Sequence, residues 1–121
     1  MSNNTILVVD DSPTELKIVT RTLQNRGYRI VTAIDGEEAL LKAAHEKPNL
    51  IVLDVVLPKK NGFQVCRQLK TTADTKDIKI ILLTSKKQDS DRFWGMKQGA
   101  DAYVTKPFSE DELLTSVGTF M

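Results

Sequence analysis

The sequence lacks the features by which small proteins are cross-linked, inserted in membranes or exported. Only one of its 121 residues is a cysteine, Cys66, which excludes an internal disulfide and a four-cysteine zinc site. Its apolar runs are far shorter than the roughly 18 residues of a membrane span. The first five residues lack the basic and then apolar pattern of a signal peptide. These absences predict a cytoplasmic protein that inserts into no membrane.

An excess of charge of one sign is also absent. Seventeen Lys and Arg residues face sixteen Asp and Glu residues, for a net charge of +1, whereas a nucleic-acid-binding domain usually carries a strongly basic face. There is no low-complexity stretch and no linker rich in proline, glycine or serine. A chain of 121 residues is long enough to form one domain around one core. We therefore expect a single domain over residues 1–121, with no nucleic-acid partner.

Five short apolar segments alternate with amphipathic ones. The segments 6–9, 50–53 and 80–83 are near-continuous runs of branched residues, which is typical of strands buried on both faces of a parallel sheet. Segments 28–33 and 102–105 are more polar and predict strands at the sheet edges. With the three apolar strands in the middle, the strand order is 2-1-3-4-5. This is the flavodoxin-like, doubly wound (βα)5 α/β fold, a three-layer sandwich with helices on both faces of the sheet.

Helix-start signals follow each predicted strand. Ser12 and Glu15, with Pro13 between them, predict a capping box for the first helix. The other four helices are predicted to begin at Asp35, at Asn61 or Gly62, near residue 89, and after Ser109. The side chains expected to face the core on the first three helices are Leu16, Val19, Leu23, Ala39, Leu40, Ala43, Ala44, Phe63, Cys66 and Leu69.

Reactive side chains follow the predicted strands at their carboxyl ends. Asp10 and Asp11 follow the first strand and Asp54 follows the third, and ligands of doubly wound sheets bind at this edge. Three carboxylates in one place repel one another, and a hard divalent cation relieves that repulsion. Magnesium suits one or two carboxylates together with a backbone carbonyl and water. We therefore predict a Mg²⁺ site with Asp11 as the principal ligand, Asp54 and the Val56 carbonyl as further ligands, and Asp10 assisting.

The same edge carries the groups needed for phosphoryl transfer. Thr84 and Ser85 end the fourth predicted strand, and Lys106 ends the fifth. An aspartate beside a bound cation can act as a phosphoryl acceptor, and the transfer requires mainly positioning and charge neutralisation. In this hypothesis Asp54 is the nucleophile, while Lys106 and Thr84 hold the phosphoryl oxygens.

These residues lie in five motifs: Val8-Val-Asp-Asp11; Leu53-Asp54 with Leu57-Pro-Lys-Lys-Asn-Gly62; Leu83-Thr84-Ser85; Gly99-Ala-Asp101; and Tyr103-Val-Thr-Lys-Pro-Phe108. Together they resemble the response-regulator receiver domains of two-component signalling, a family that includes CheY. The resemblance implies that a histidine kinase of the CheA-like type phosphorylates Asp54 in the presence of Mg²⁺. It also implies a cis peptide bond between Lys106 and Pro107.

The resemblance further implies a switch. In such proteins the hydroxyl that corresponds to Thr84 moves to the phosphoryl group, and the aromatic ring that corresponds to Tyr103 turns inward. The surface formed by the fourth helix, fifth strand and fifth helix then changes its affinity for a protein partner. Because the chain ends with the fifth predicted helix, at Met121, the expected output is protein binding by a monomer or weak homodimer.

A narrower resemblance lies in the fourth predicted helix. Asp91-Arg-Phe-Trp-Gly-Met-Lys-Gln-Gly-Ala100 is similar to single-domain receivers that control type IV pilus twitching motility and phototaxis in bacteria. In this interpretation Trp94 contributes to a partner surface, since exposed aromatic residues are favoured anchors. The alternative is that Phe93 and Met96 form the core face of the helix, with Trp94 partly exposed.

Two other functions stay open from the sequence. One is a receiver fold that binds its partners without phosphorylation. The other is an aspartate-nucleophile phosphatase, although such enzymes carry a second acid two residues after the nucleophile, where this chain has Val56. In the leading hypothesis the protein is not an enzyme in the usual sense, since it catalyses only its own phosphorylation and dephosphorylation.

Overall fold

Residues 4–121 are described by a computed structural model, in which five strands alternate with five helices. The strands form one parallel sheet in the order β2-β1-β3-β4-β5, which confirms the predicted fold and both edge strands. The first three residues of the predicted domain lie outside the described residues. The elements are β1 (Thr5–Val9), α1 (Pro13–Gln24), β2 (Arg29–Ala33), α2 (Gly36–Glu46), β3 (Leu50–Leu53), α3 (Gly62–Lys70), β4 (Lys79–Thr84), α4 (Asp89–Lys97), β5 (Ala102–Thr105) and α5 (Glu110–Phe120).

Two apolar layers lie on the two faces of the sheet, because successive strand residues point to opposite sides. Leu7 and Val9 of β1 face one layer, and Ile6 and Val8 face the other. Helices α2 and α3 cover the first layer with Ala39, Ala43, Val65, Cys66 and Leu69, and helices α1 and α5 cover the second with Val19, Leu23, Leu113 and Val117.

The register of the central strands brings their ends to one place. Val9 of β1 pairs with Leu53 of β3, and Leu53 pairs with Leu82 of β4. The Asp54 amide continues this ladder by donating to the Val9 carbonyl at 3.0 Å. Asp10 and Asp54, which follow these strands directly, therefore lie side by side at the carboxyl edge.

The start of α1 differs from the prediction. Ser12 is the N-cap and its hydroxyl accepts from the Glu15 amide at 3.4 Å, but the return bond of a capping box is replaced. The Ser12 amide donates to Asp10 at 2.9 Å, and the Glu15 carboxylate pairs with the Lys106 ammonium instead. A full positive charge is a stronger partner for a carboxylate than a neutral amide, so the predicted capping box is wrong.

Two predicted core faces also need correction. On α2, Ala39 and Ala43 are buried, but Ala44 is exposed, because the contact with the sheet is a single narrow stripe. On α4, Phe93 is 64% exposed and Met96 is 45% exposed, so the alternative that assigned them to the core is wrong.

Gly95 explains the orientation of α4. It is the one residue of α4 that is buried, and a Cβ atom there would lie 2.8 Å from a Leu82 methyl and 3.0 Å from the Tyr103 ring. The helix backbone therefore approaches the sheet at Gly95, which turns Phe93 and Met96 toward solvent. Within residues 4–121, no helix combines the length and hydropathy required to cross a bilayer.

Candidate functional site

Three carboxylates converge at the carboxyl edge of the sheet. Oxygen atoms of Asp10, Asp11 and Asp54 all lie within 4.8 Å of one another. Asp10 and Asp54 are buried and Asp11 is exposed. The structure therefore brings together the three aspartates that the sequence assigned to one site.

Each buried aspartate is held in place by the turn that follows it. Asp10 accepts from the Ser12 amide at 2.9 Å, and Asp54 accepts from the Val56 amide at 3.2 Å, in both cases through Oδ1. These bonds fix the orientation of the carboxylates and leave Oδ2 of each free to face the other strand ends. Val56, whose carbonyl was predicted as a metal ligand, thus belongs to the turn that orients Asp54.

Lys106 reaches this cluster from the end of β5. Its Nζ donates to Oδ2 of Asp10 at 2.8 Å and to Oδ2 of Asp54 at 3.0 Å. The peptide bond between Lys106 and Pro107 is cis, as the family resemblance implied. One ammonium therefore bridges the two buried aspartates.

A fourth carboxylate, that of Glu15, contacts the same ammonium from the first turn of α1. The sequence does not indicate this role, because serine followed three residues later by glutamate is also the signature of a capping box. The spacing between Glu15 and Lys106 along the chain carries no local signal. Only the fold, which places the start of α1 beside the end of β5, brings the two side chains together.

The electrostatics of the site reflect its burial and its excess of acid. Burial raises the pKa of Asp10, and the hydrogen bonds from Lys106 and Ser12 offset this only in part. Burial alone would lower the pKa of Lys106, but its contacts with Asp10, Glu15 and Asp54 outweigh that effect and raise it. The lysine is therefore a permanent cation among carboxylates.

The donor set fits a magnesium ion. It consists of carboxylate oxygens from Asp10, Asp11 and Asp54, and Mg²⁺ prefers oxygen ligands and keeps several waters. A single ammonium does not balance these charges, because Asp11 and Glu15 add to the two carboxylates that it bridges. The exposed position of Asp11 leaves one side of the cluster open to water.

The cleft around the cluster has a volume of about 610 Å³. One part of its lining is acidic and contains Asp10, Asp11 and Asp54. An apolar part consists of Ile18, Val19, Val56, Pro107 and Phe108, and the polar side chains of Ser12, Glu15, Ser85 and Lys106 complete the lining. The cleft therefore combines an acidic cluster with apolar side chains that a ligand could contact.

Thr84 and Tyr103 contact the backbone of the same loop residue, Lys86. The Thr84 hydroxyl accepts from the Lys86 amide at 3.3 Å, and the Tyr103 hydroxyl donates to the Lys86 carbonyl at 2.6 Å. Thr84 is fully buried and the Tyr103 ring is only 6% exposed. The predicted switch pair is thus linked through one residue, and Tyr103 occupies an inward position.

Arg92 of α4 packs against this tyrosine, a contact that the sequence did not indicate. Its guanidinium lies 5.2 Å from the centroid of the Tyr103 ring and donates to the Tyr103 carbonyl at 3.1 Å. Burial, followed by the charge of Asp91, raises the pKa of Tyr103, so its hydroxyl stays a donor near neutral pH. Arg92 and Tyr103 together attach α4 to β5.

The chain is similar to known proteins along most of its length. The family model for the response regulator receiver domain matches residues 6–118. Over 116 residues the chain is 41% identical to Protein PilH of Pseudomonas aeruginosa, with 96% of each chain covered. Over 111 residues it is 48% identical to the alkaline phosphatase synthesis transcriptional regulatory protein PhoP of Bacillus subtilis. That match covers 92% of this chain but 45% of PhoP, so the chain spans less than half of that relative.

A solved structure with the same fold holds a metal. The receiver domain of the sensor histidine kinase PA1611 from Pseudomonas aeruginosa superposes with a TM-score of 0.90 at 27% identity, covering 98% of both chains. It is described as having a magnesium ion coordinated in its active-site cleft. The acidic cluster of the present chain lies at the carboxyl edge of the same type of sheet.

Proposed function

The chain belongs to the response regulator receiver domain family, and on that basis we propose that it is a phosphorylation switch whose acceptor is Asp54. The observation that carries this proposal is the bridge from the Lys106 ammonium to Asp10 and Asp54, at 2.8 and 3.0 Å. It sets a permanent cation beside a buried, oriented nucleophile. The phosphodonor that we propose is the phosphohistidine of a histidine kinase, and the proposed unit is a single receiver domain over residues 1–121.

The positions of the side chains support the following transfer. A carboxylate oxygen of Asp54 forms a bond to phosphorus while the P–N bond of the phosphohistidine breaks, and the imidazole leaves with the electron pair of that bond. The product is an acyl phosphate on Asp54. Lys106 and Thr84 then pair with phosphoryl oxygens, where the charge of the transferred group is concentrated.

The same proposal assigns the magnesium site. Asp10, Asp11, Asp54 and the Val56 carbonyl would hold Mg²⁺, which when bound neutralises negative charge on the phosphoryl oxygens. Asp11 is the principal protein ligand in this assignment, since it is exposed at the open side of the cluster and makes no ion pair with Lys106.

Chemical phosphorylation tests the acceptor. We expect acetyl phosphate with Mg²⁺ to add a phosphoryl group to Asp54 that hydroxylamine removes, detected by peptide mass spectrometry. Asp54→Asn removes the nucleophile and abolishes the label with the fold unchanged by circular dichroism. Asp74→Asn, an exposed aspartate outside the cluster, is the matched control and labels like the native protein. A native protein that takes no label, or an Asp54→Asn variant that keeps it, would contradict the proposal.

The output that we propose is a change in protein binding at the face formed by α4, β5 and α5. When Thr84 turns to the phosphoryl group, the Lys86 amide loses its acceptor, and the loop that Tyr103 also holds is released to move. The exposed aromatic side chains of Phe93 and Trp94 lie on α4, directly after this loop. The identity with PilH over nearly the whole of both chains supports an output in bacterial type IV pilus motility or taxis.

Partner capture tests this output. The beryllofluoride-loaded and free forms of the native protein are compared with a Trp94→Ala variant. Leu41→Ala is the control, because Leu41 is an apolar residue on α2 that is even more exposed than Trp94, 72% against 52%. We expect the loaded native and Leu41→Ala proteins to retain type IV pilus components, and Trp94→Ala to retain about tenfold less. Retention of flagellar motor or transcription proteins alone would contradict the pilus assignment.

A further inference from the structure

Glu15 differs from the other carboxylates that contact Lys106. Asp10 and Asp54 bind the ammonium through their Oδ2 atoms and also belong to the acidic cluster. Glu15 pairs with the ammonium but is not a member of that cluster. Among residues 4–121, Lys106 forms ion pairs with Asp10, Asp54 and Glu15. Of these three partners, Glu15 is the one that would not also be a ligand of a metal ion bound by the three aspartates.

This difference has a consequence when a divalent cation is present. The cation and the ammonium both require oxygen atoms of Asp10 and Asp54, and two positive charges held by the same pair of carboxylates repel each other. The contacts of Lys106 with Asp10 and Asp54 therefore weaken when the cation binds. Without another partner, a lysine with four rotatable side-chain bonds would leave the cleft for water.

We propose that Glu15 is a positioning residue that retains the Lys106 ammonium beside Asp54 while the three aspartates hold a divalent cation. This inference rests on the proposed function, because the group that Lys106 must then meet is the phosphoryl group on Asp54. The lysine side chain is 12% exposed and the Glu15 side chain 45% exposed, so Glu15 holds the ammonium from the solvent side of the cleft. Among residues 4–121, Asp10, Asp54 and Glu15 are the carboxylates that form ion pairs with Lys106.

The position of Glu15 in α1 does not by itself account for this contact. An acidic residue in the first turn of a helix is favourable for the helix dipole wherever its side chain points. The Glu15 side chain points toward Lys106. The Ser12 amide, to which Glu15 would bind in a capping box, donates to Asp10 instead. Two residues at the start of α1 therefore contact side chains of the cleft: the Ser12 amide donates to Asp10, and the Glu15 carboxylate pairs with Lys106.

The test compares Glu15→Gln with Glu110→Gln at saturating Mg²⁺. Glu110 is an exposed glutamate in the first turn of α5, at the same edge of the sheet, and makes no ion pair with Lys106. We expect exchange of the Lys106 ammonium protons with water, measured by nitrogen-15 NMR, to become at least about fivefold faster in Glu15→Gln and to stay at the native rate in Glu110→Gln. We expect labelling of Asp54 by acetyl phosphate to slow about tenfold in Glu15→Gln.

A second background separates positioning from simple loss of charge. In a Lys106→Met protein the residual labelling rate should change less than twofold on adding Glu15→Gln, because there is no ammonium left to position. An equal loss of rate in both backgrounds, or unchanged ammonium exchange in Glu15→Gln, would overturn the inference. Failure of the proposed function is distinct, since the native protein itself would then take no label on Asp54.

Discussion

Two partly buried lysines of this chain, Lys70 and Lys106, differ in the number of carboxylates that each contacts. Lys70 donates to Asp101 and to the Ile78 carbonyl, both at 2.9 Å, and the same Asp101 oxygen accepts from the Ile80 amide at 2.8 Å. One ammonium meets one carboxylate and their charges balance. Lys106 instead meets three carboxylates, with Asp11 adding a fourth negative charge nearby. The first cluster is balanced in charge, whereas the second has a surplus of negative charge that a further cation would offset.

The surroundings of the two lysines match this distinction. Gly99 has a φ of +102°, and a Cβ atom there would lie 2.9 Å from the Lys70 side chain, so the chain closes tightly over Lys70. The neighbouring thiol of Cys66 is buried, and burial raises its pKa to about 12, which keeps it protonated and unreactive. Lys106, by contrast, lines an open cleft. We therefore expect the Lys70 cluster to stabilise the fold, whereas the Lys106 cluster is the proposed reactive site.

The largest effect that this comparison predicts is on stability at the balanced pair. Asp101→Ala leaves the Lys70 ammonium and the Ile80 amide without their shared acceptor, and we expect the free energy of unfolding to fall by about 3 kcal/mol. Urea denaturation followed by circular dichroism measures this. Asp74→Ala, at an exposed aspartate, should change it by less than about 0.5 kcal/mol. If Asp101→Ala behaved like Asp74→Ala, the Lys70 cluster would not be a stabilising unit.

A smaller effect of opposite sign is expected at the unbalanced site. Asp54→Asn removes one surplus negative charge, which itself contributes to the raised pKa of Asp10, so the free energy of unfolding should rise by about 1 kcal/mol without divalent cations. Millimolar Mg²⁺ should reduce this gain, because the cation stabilises the native site more than the variant site. A loss of stability on Asp54→Asn, like that expected at Asp101, would erase the distinction between the two clusters.

Most of the fold was predictable because its signals are local. The three buried strands are continuous branched apolar runs, and the helix starts at Ser12, Asp35, Asn61 and Ser109 all carry a capping side chain in the structure. The three aspartates were predictable from the same strand assignment, since parallel strands end at a common edge. The order of the strands then placed them side by side.

The remaining features depend on contacts that no local pattern encodes. Lys70 and Asp101 are 31 residues apart, and each alone is typical of a solvated surface residue. Glu15 satisfied a capping pattern although its partner, Lys106, lies near the other end of the chain. The outward turn of Phe93 and Met96 depends on how closely Gly95 approaches Leu82 and Tyr103, which helical spacing alone does not specify.

The thin contact between α4 and the sheet has an energetic consequence. Because Gly95 is the residue of α4 that is buried, a displacement of this helix uncovers little apolar surface, so lost hydrophobic burial contributes little to the free-energy difference between two positions of α4. Inverting such an equilibrium from 1:99 to 99:1 requires about 5.5 kcal/mol of differential interaction. Hydrogen bonds to a charged group contribute about 1.5–3 kcal/mol each. If Asp54 is the acceptor, as we propose, about two to four new contacts to its phosphoryl group would supply this difference without any change in the core.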